Sequence, residues 1–141
     1  MSNKSMQAVL VNEYGGPNVL KIATVERPQP QADEVLIRIA YATVIPLDYK
    51  IRNGWLQNVF PVTLPYIPDF YASGVVEEIG QSVTEFKPGD RIFGSIRGAY
   101  AEYGIATIQE LVKMPDNLTF HWVRIKSSII QRQISKTSPR K

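Results

Sequence analysis

The chain has no cysteine among its 141 residues. A disulfide framework, a thiolate metal site and a cysteine nucleophile are therefore excluded. It has one histidine, His121, so the H-E-x-x-H metal motif cannot be built and any histidine-based triad would depend on that single residue. No two of its nine glycines are separated by a single residue, which removes the G-x-G-x-x-G dinucleotide fingerprint in every register. Gly89 and Gly94 have P-loop spacing, but Ser95 stands where that motif needs lysine. No apolar run approaches the ~18 residues of a membrane span. The start, MSNKSMQAVL, carries no long apolar region behind its lysine, which argues against a secretory leader. A cytoplasmic setting is the expectation.

Acidic charge is missing from one place in particular. All thirteen acidic residues precede His121, together with ten of the sixteen Lys and Arg, so that body carries −3. Residues 121–141 hold Arg124, Lys126, Arg132, Lys136, Arg140 and Lys141 with no acid, a charge of +6. The basic balance of the chain thus belongs to a terminal segment and marks a composition boundary. That segment is rich in Ser, Gln and basic residues and lacks a clean apolar stripe, so it reads as disordered. Thr119 offers a cap for a helix beginning there. Nucleic-acid binding through the six charges would be salt-sensitive and non-specific, and an acidic body with no accompanying aromatic platform argues against it.

What is present is a series of short strand patterns. Residues 7–12 and 19–25 read as a hairpin joined through Gly15-Gly16-Pro17. Arg27-Pro28-Gln29-Pro30 lacks two amide donors and belongs in an exposed connection. Residues 34–42, EVLIRIAYA, alternate in the manner of a pleated strand. Pro46 can open a short helix, with Gly54 just past its end as a left-handed cap. Pro61, Pro65 and Pro68 keep the next stretch extended. A strand over 70–79 follows, in which Gly74 marks a bulge or a close backbone approach. Lys87-Pro88-Gly89-Asp90 suits a type II turn, and strand-like runs cover 91–93, 99–107 and 111–114. Seven short strands at this spacing predict a mainly β, partly open barrel with one or two short helices.

Few polar residues suggest chemistry. On the predicted helix Asp48 and Arg52 are four apart and could simply pair on the surface. Tyr49 and Lys50 could instead serve a cleft as proton donors or anion holders. Ser73 reads as a strand residue, since no base accompanies it.

In order, the pieces YGGPNVL, P-x-P with EVLIRI, PLDYKIRNG, FPVTLPYIPDFYASGVVEEIGQSV, FKPGDRIFG, GAYAEY and MPDNLTF span residues 6–120. Together they resemble the GroES-like N-terminal domain of the medium-chain dehydrogenase/reductase superfamily, in its zinc-independent quinone-oxidoreductase branch. The resemblance implies a barrel forming the substrate-side wall of a cleft. A following Rossmann domain would hold NADP(H), and the acceptor would be a small quinone or enone. It places Ile45 at the family's nicotinamide-pocket position, where Asn is frequent, and makes Asp48, Tyr49 and Lys50 the candidate cleft residues. It also places Ile45 and Phe70 at the two positions where the zinc branch has Cys and His. Neither side chain has a donor atom, so no zinc is expected. Asp69-Phe70-Tyr71 replaces the family's Gly-x-Asp or Gly-x-Glu, at the loss of a glycine.

After NLTF the pattern changes to HWVRIKSSIIQRQISKTSPRK. The expectation is a truncated chain with an out-of-frame or disordered tail, without the nucleotide-binding half and inactive alone. The competing expectation is a non-enzymatic β-module that binds a protein partner, or itself, through the face that the second domain would cover.

Overall fold

The computed structural model describes residues 4–120. The expectations attached to His121 and to residues 121–141 lie outside them. Among the described residues there are seven strands and one α-helix: β1 Ser5–Val11, β2 Leu20–Glu26, β3 Glu34–Ala42, α1 Pro46–Arg52, β4 Tyr71–Ile79, β5 Arg91–Ser95, β6 Tyr103–Thr107 and β7 Leu111–Lys113. Single 3-10 turns precede β2 at Pro17–Val19 and β7 at Ile108–Glu110.

β1 and β2 form an antiparallel hairpin with Ala8 opposite Ala23. The other five strands form one antiparallel sheet in the order β6-β3-β4-β5-β7. Isolated bridges between Ala8 and Ala101 and between Val11 and Tyr66 tie the hairpin to this curled sheet. The result is the mainly β, partly open barrel that the strand spacing predicts. Its interior is filled by Val35, Ile37, Val76, Ile92, Ile96 and Ala106, all essentially inaccessible to water. Each Val or Ile so buried contributes about 1.5–3 kcal/mol relative to exposure.

Gly74 turns out to serve both purposes considered for it. A Cβ there would lie 2.2 Å from the Arg38 carbonyl oxygen, and the pairing of β3 with β4 shifts register between Ile39 and Tyr41, opposite Gly74 and Ser73. The Pro88-Gly89 turn closes with Asp90 N–H donating to Lys87 O at 3.1 Å, and Gly89 takes φ 96°.

Two expectations need correction. The apolar run at 99–107 is not one strand. Its second half is β6, paired with β3. Its first half answers other partners, with Val9 N–H donating to Tyr100 O at 2.8 Å and Tyr100 N–H to Pro68 O at 3.1 Å. The connection at 27–30 is irregular as expected, yet Arg27 is only 8% exposed. Its guanidinium pairs with Glu78 at 2.9 Å and lies 4.2 Å from the Tyr103 ring centroid, so the long side chain is buried by packing its stem and satisfying its head.

Among the described residues, no helix is long and apolar enough to cross a membrane.

Candidate active-site cleft

The site is organised by the short helix α1. Pro46 occupies its first turn, Asn53 caps its end and Gly54 follows at φ 80°. At its start, Asp48 in the third helical position reaches back and accepts a hydrogen bond from Ile45 N–H at 3.2 Å, half of a capping box. At its end, Gly15 N–H donates to Arg52 O at 2.9 Å while Arg52 Nε–H donates to Gly15 O at 3.2 Å. Arg52 is thereby committed to the β1–β2 turn. The surface Asp48–Arg52 pair considered from spacing is not what forms: Asp48 is 8% exposed and faces inward.

Beside α1 lies a cleft of about 180 Å³ lined by Val44, Ile45, Asp48, Tyr49, Arg52, Pro68 and Tyr100, with Leu20 at its edge. Three of the residues singled out in the sequence, Ile45, Asp48 and Tyr49, therefore meet. Lys50 does not line the cleft; it is exposed on α1. Trp55 stands edge-on to Tyr49, with ring centroids 6.0 Å apart. A wider groove of about 370 Å³ includes Met6, Glu34, Arg97 and Tyr103. It holds the satisfied Arg97–Glu34 ion pair at 2.8 Å and none of the orphaned buried polar atoms.

Behind the cleft sits Asp69, fully buried and held at φ 78°. Its Oδ1 accepts from Phe70 N–H at 2.9 Å and from the Thr43 hydroxyl at 3.1 Å. Its main-chain oxygen accepts from Gly98 N–H at 3.2 Å and Ala99 N–H at 3.3 Å. An aspartate can occupy this left-handed position, where glycine is the usual choice, because its short side chain bonds to the adjacent backbone.

Asp48, Asp69 and Tyr100 influence one another's ionisation. Asp48 Oδ1 and Asp69 Oδ2 are both buried with no hydrogen-bond partner. Burial, then the Asp48 charge, pushes the Asp69 carboxyl up to about 7. Burial also raises Asp48, opposed by the Ile45 N–H and, more weakly, by the Arg52 charge. Burial and the two carboxylates push the Tyr100 phenol up as well, and its hydroxyl donates to Thr43 O at 3.0 Å. Two buried carboxyls coupled in this way resist carrying two charges at once.

Asp69, Tyr100 and Thr43 were not recognised as site residues from sequence. The usable signal was Asp69 itself, since Asp is among the few residues that tolerate a position built for glycine.

Ile45 and Phe70 offer no donor atom to a metal, and the described residues contain no group of three or more His, Cys, Asp or Glu placed to hold one. Toward a nicotinamide cofactor the fit is partial. Val44, Ile45 and Pro68 give a flat ring an apolar wall, while a cleft of about 180 Å³ and a sequence without a glycine-rich dinucleotide fingerprint give the phosphates nothing.

Comparison with known proteins places this geometry. The model of the alcohol dehydrogenase GroES-like domain matches residues 31–116. Quinone oxidoreductase of Homo sapiens is 40% identical over 120 residues, which is 83% of this chain and 36% of that protein. Quinone oxidoreductase of Lama guanicoe is 39% identical over 118 residues, 82% of this chain and 35% of that protein. The chain thus spans about a third of the length of the curated relatives it matches. Among solved structures, a mycobacterial protein complexed with NADPH superposes with a TM-score of 0.79 at 32% identity, over 96% of this chain and 43% of that one. The quinone oxidoreductase from Coxiella burnetii gives 0.72 at 30%, over 83% and 39%.

Proposed function

The chain belongs to the alcohol dehydrogenase GroES-like domain family, and on that premise we propose that it is the substrate-side domain of an NADP(H)-dependent, zinc-independent quinone or enone oxidoreductase. The observation that carries the reading is the cleft beside α1. It brings Ile45, Asp48 and Tyr49 together with Tyr100, in a chain 40% identical over 120 residues to a quinone oxidoreductase. Its apolar side, Val44, Ile45 and Tyr49, would lie against the nicotinamide ring and a planar acceptor. When bound, the cofactor supplies hydride; this chain's residues orient the acceptor, keep water from it and present protons at its oxygen. A cytoplasmic setting suits the cysteine-free composition.

The domain alone does not turn over, because nothing in its sequence forms a dinucleotide phosphate cradle. The test is purified chain incubated with NADPH and a panel of quinones and enones. Trp55, in contact with Tyr49 at the cleft, reports binding by fluorescence quenching. Quenching by quinones that is lost in Trp55→Phe, with no NADPH consumed, is the expected result. Steady NADPH oxidation would overturn the inactivity, and no quenching by any acceptor would overturn the cleft assignment.

A second reading is association through the same face. Val44 is 87% exposed and Trp55 68%, with Tyr49 between the cleft and Trp55 also open to solvent; exposed apolar side chains at one cleft favour a protein partner or a second copy. Light scattering that finds only monomer at high concentration would remove the self-association form of it.

A further inference from the structure

We propose that the Arg52 guanidinium is the anion-holding group of the cleft and selects acceptors that carry a carboxylate. The ligand class is a short oxo-enoate, its carboxylate on Arg52 and its apolar body along Val44, Ile45 and Pro68. The inference rests on the cleft being the substrate side of the domain.

Arg52 lines the cleft and is held in place without using up its charge. Its main-chain oxygen accepts from Gly15 N–H at 2.9 Å, and its Nε–H donates to Gly15 O at 3.2 Å. These two bonds fix the root of the side chain to the β1–β2 turn. The Nε bond is the side chain's one hydrogen bond among the described residues, so Nη1 and Nη2 are unengaged. Neither Nη is among the buried atoms left without a partner, so both are open to a ligand. A guanidinium anchored at Nε with two free Nη groups presents a planar fork that matches the two oxygens of a carboxylate.

The other arginines are occupied. Arg27 pairs with Glu78, Arg38 with Glu77 and Arg97 with Glu34, while Arg91 donates to Leu118 O and lies over the Phe120 ring. Arg52 makes no ion pair among the described residues, although Asp48 lines the same cleft. Asp48 Oδ2 is engaged by Ile45 N–H and its Oδ1 is inaccessible, and burial favours its uncharged form. An incoming anion therefore meets an unpaired cation, with no existing pair to break. Lys50, the other cation considered for this role, is exposed and does not line the cleft.

The shape of the cleft sets the rest of the ligand. Its volume of about 180 Å³ lies below the ~300–1,000 Å³ of sites for drug-sized molecules, so it suits an acyclic or single-ring compound. Val44, Ile45 and Pro68 have no polar side-chain atom and give a second charge nothing. One carboxylate at the end of a short conjugated chain matches that division.

The test is equilibrium dialysis of the full chain against 4-oxopent-2-enoate and its methyl ester at neutral pH, where the free acid is ionised. The two compounds differ in the charged group alone, and a chain without cysteine offers the enone no thiol. Wild type should bind the carboxylate about ten- to a hundredfold tighter than the ester, the range of a charge-assisted hydrogen bond. Arg52→Gln should bring the carboxylate down to the affinity of the ester and leave the ester unchanged. Arg52→Lys, which keeps the charge without the fork, should fall between. Equal affinity for both compounds in wild type overturns the anion-holding role and leaves the substrate-side reading standing. A preference that persists in Arg52→Gln overturns Arg52 as its source. If Arg52→Gln loses the ester as well, because the turn has lost its donor to Gly15, Arg52→Lys decides. A carboxylate-to-ester ratio there equal to that of wild type overturns the role of the guanidinium. No binding of either compound to wild type overturns the substrate-side reading, and the ligand class with it.

Discussion

Asp69→Asn should make this domain more stable at neutral and alkaline pH while leaving it nearly unchanged in acid. Asparagine keeps the shape of a protonated aspartate. Its carbonyl oxygen can go on accepting from Phe70 N–H and Thr43, and its amide can donate toward Asp48. In the wild type the Asp69 carboxyl is raised from 3.8 to about 7 in the folded state. Between those values the folded protein binds more protons than the unfolded chain, so stability falls as pH rises. The contribution is fully present below 3.8 and is lost as pH climbs through about 7. That span converts to on the order of 4 kcal/mol, a large share of the total for a small domain. The asparagine variant does not suffer this loss. Its advantage should grow from near zero at about pH 4 to a few kcal/mol at about pH 8, or roughly ten degrees or more in Tm. Urea denaturation of both proteins across that range measures it. The titrations of distant exposed carboxylates occur in both proteins and cancel in the difference. A difference that stays constant with pH, or an asparagine variant that is weaker at the alkaline end, would refute the reasoning.

Other substitutions separate backbone crowding from packing. Gly74→Ala places a Cβ 2.2 Å from the Arg38 carbonyl oxygen and should cost more than about 3 kcal/mol. Gly89→Ala meets nothing within 4 Å at φ 96° and should cost only the left-handed strain of about 1–2 kcal/mol; equal urea midpoints for the two would be inconsistent with this. Arg27→Ala removes the stem and the cation over Tyr103 at 4.2 Å and should cost about 2 kcal/mol. Glu78→Ala leaves the guanidinium of Arg27, only 8% exposed, without its carboxylate and should cost about 1–3 kcal/mol; a loss close to zero would mean that the Tyr103 ring alone holds the cation.

The parts of the fold that were legible in the sequence are those set by local backbone chemistry. Pro46 and Gly54 bracket α1 because one presets φ and the other accepts φ 80°. EVLIRIAYA coincides with β3, Glu34–Ala42, since β-branched alternation is a property of the strand itself. What was not legible depends on partners far along the chain. Residues 99–107 look like one extended run, and only the competing claims of β1, Pro68 and β3 divide it. Arg27 looks like a surface residue until Glu78 and Tyr103 close around it. Asp48 and Arg52 have the spacing of a helical pair, but Gly15 takes the arginine and burial takes the aspartate. Within the site, Ile45, Asp48 and Tyr49 were reachable because they share one short helix and its cap. Asp69 and Tyr100 arrive from segments 21 and 52 residues beyond Asp48, and no local spacing announces such a meeting.

Asp69 joins these two levels. Resemblance to the family expects glycine at this position, which can adopt positive φ without a Cβ penalty. Aspartate meets the same backbone demand by bonding its Oδ1 to Phe70 N–H at 2.9 Å, so the turn at φ 78° survives the change. The side chain then has a second oxygen to place, and the position is fully buried. A lone carboxylate could not stay there without strong destabilisation. Asp48, whose reach back to Ile45 N–H leaves its own second oxygen buried and unpartnered, is the acid coupled to it. A substitution that conserves backbone geometry therefore changes the chemistry of the cleft. Where glycine would leave Asp48 as a cap raised by its burial alone, aspartate couples it to a second buried acid whose own carboxyl is pushed up to about 7.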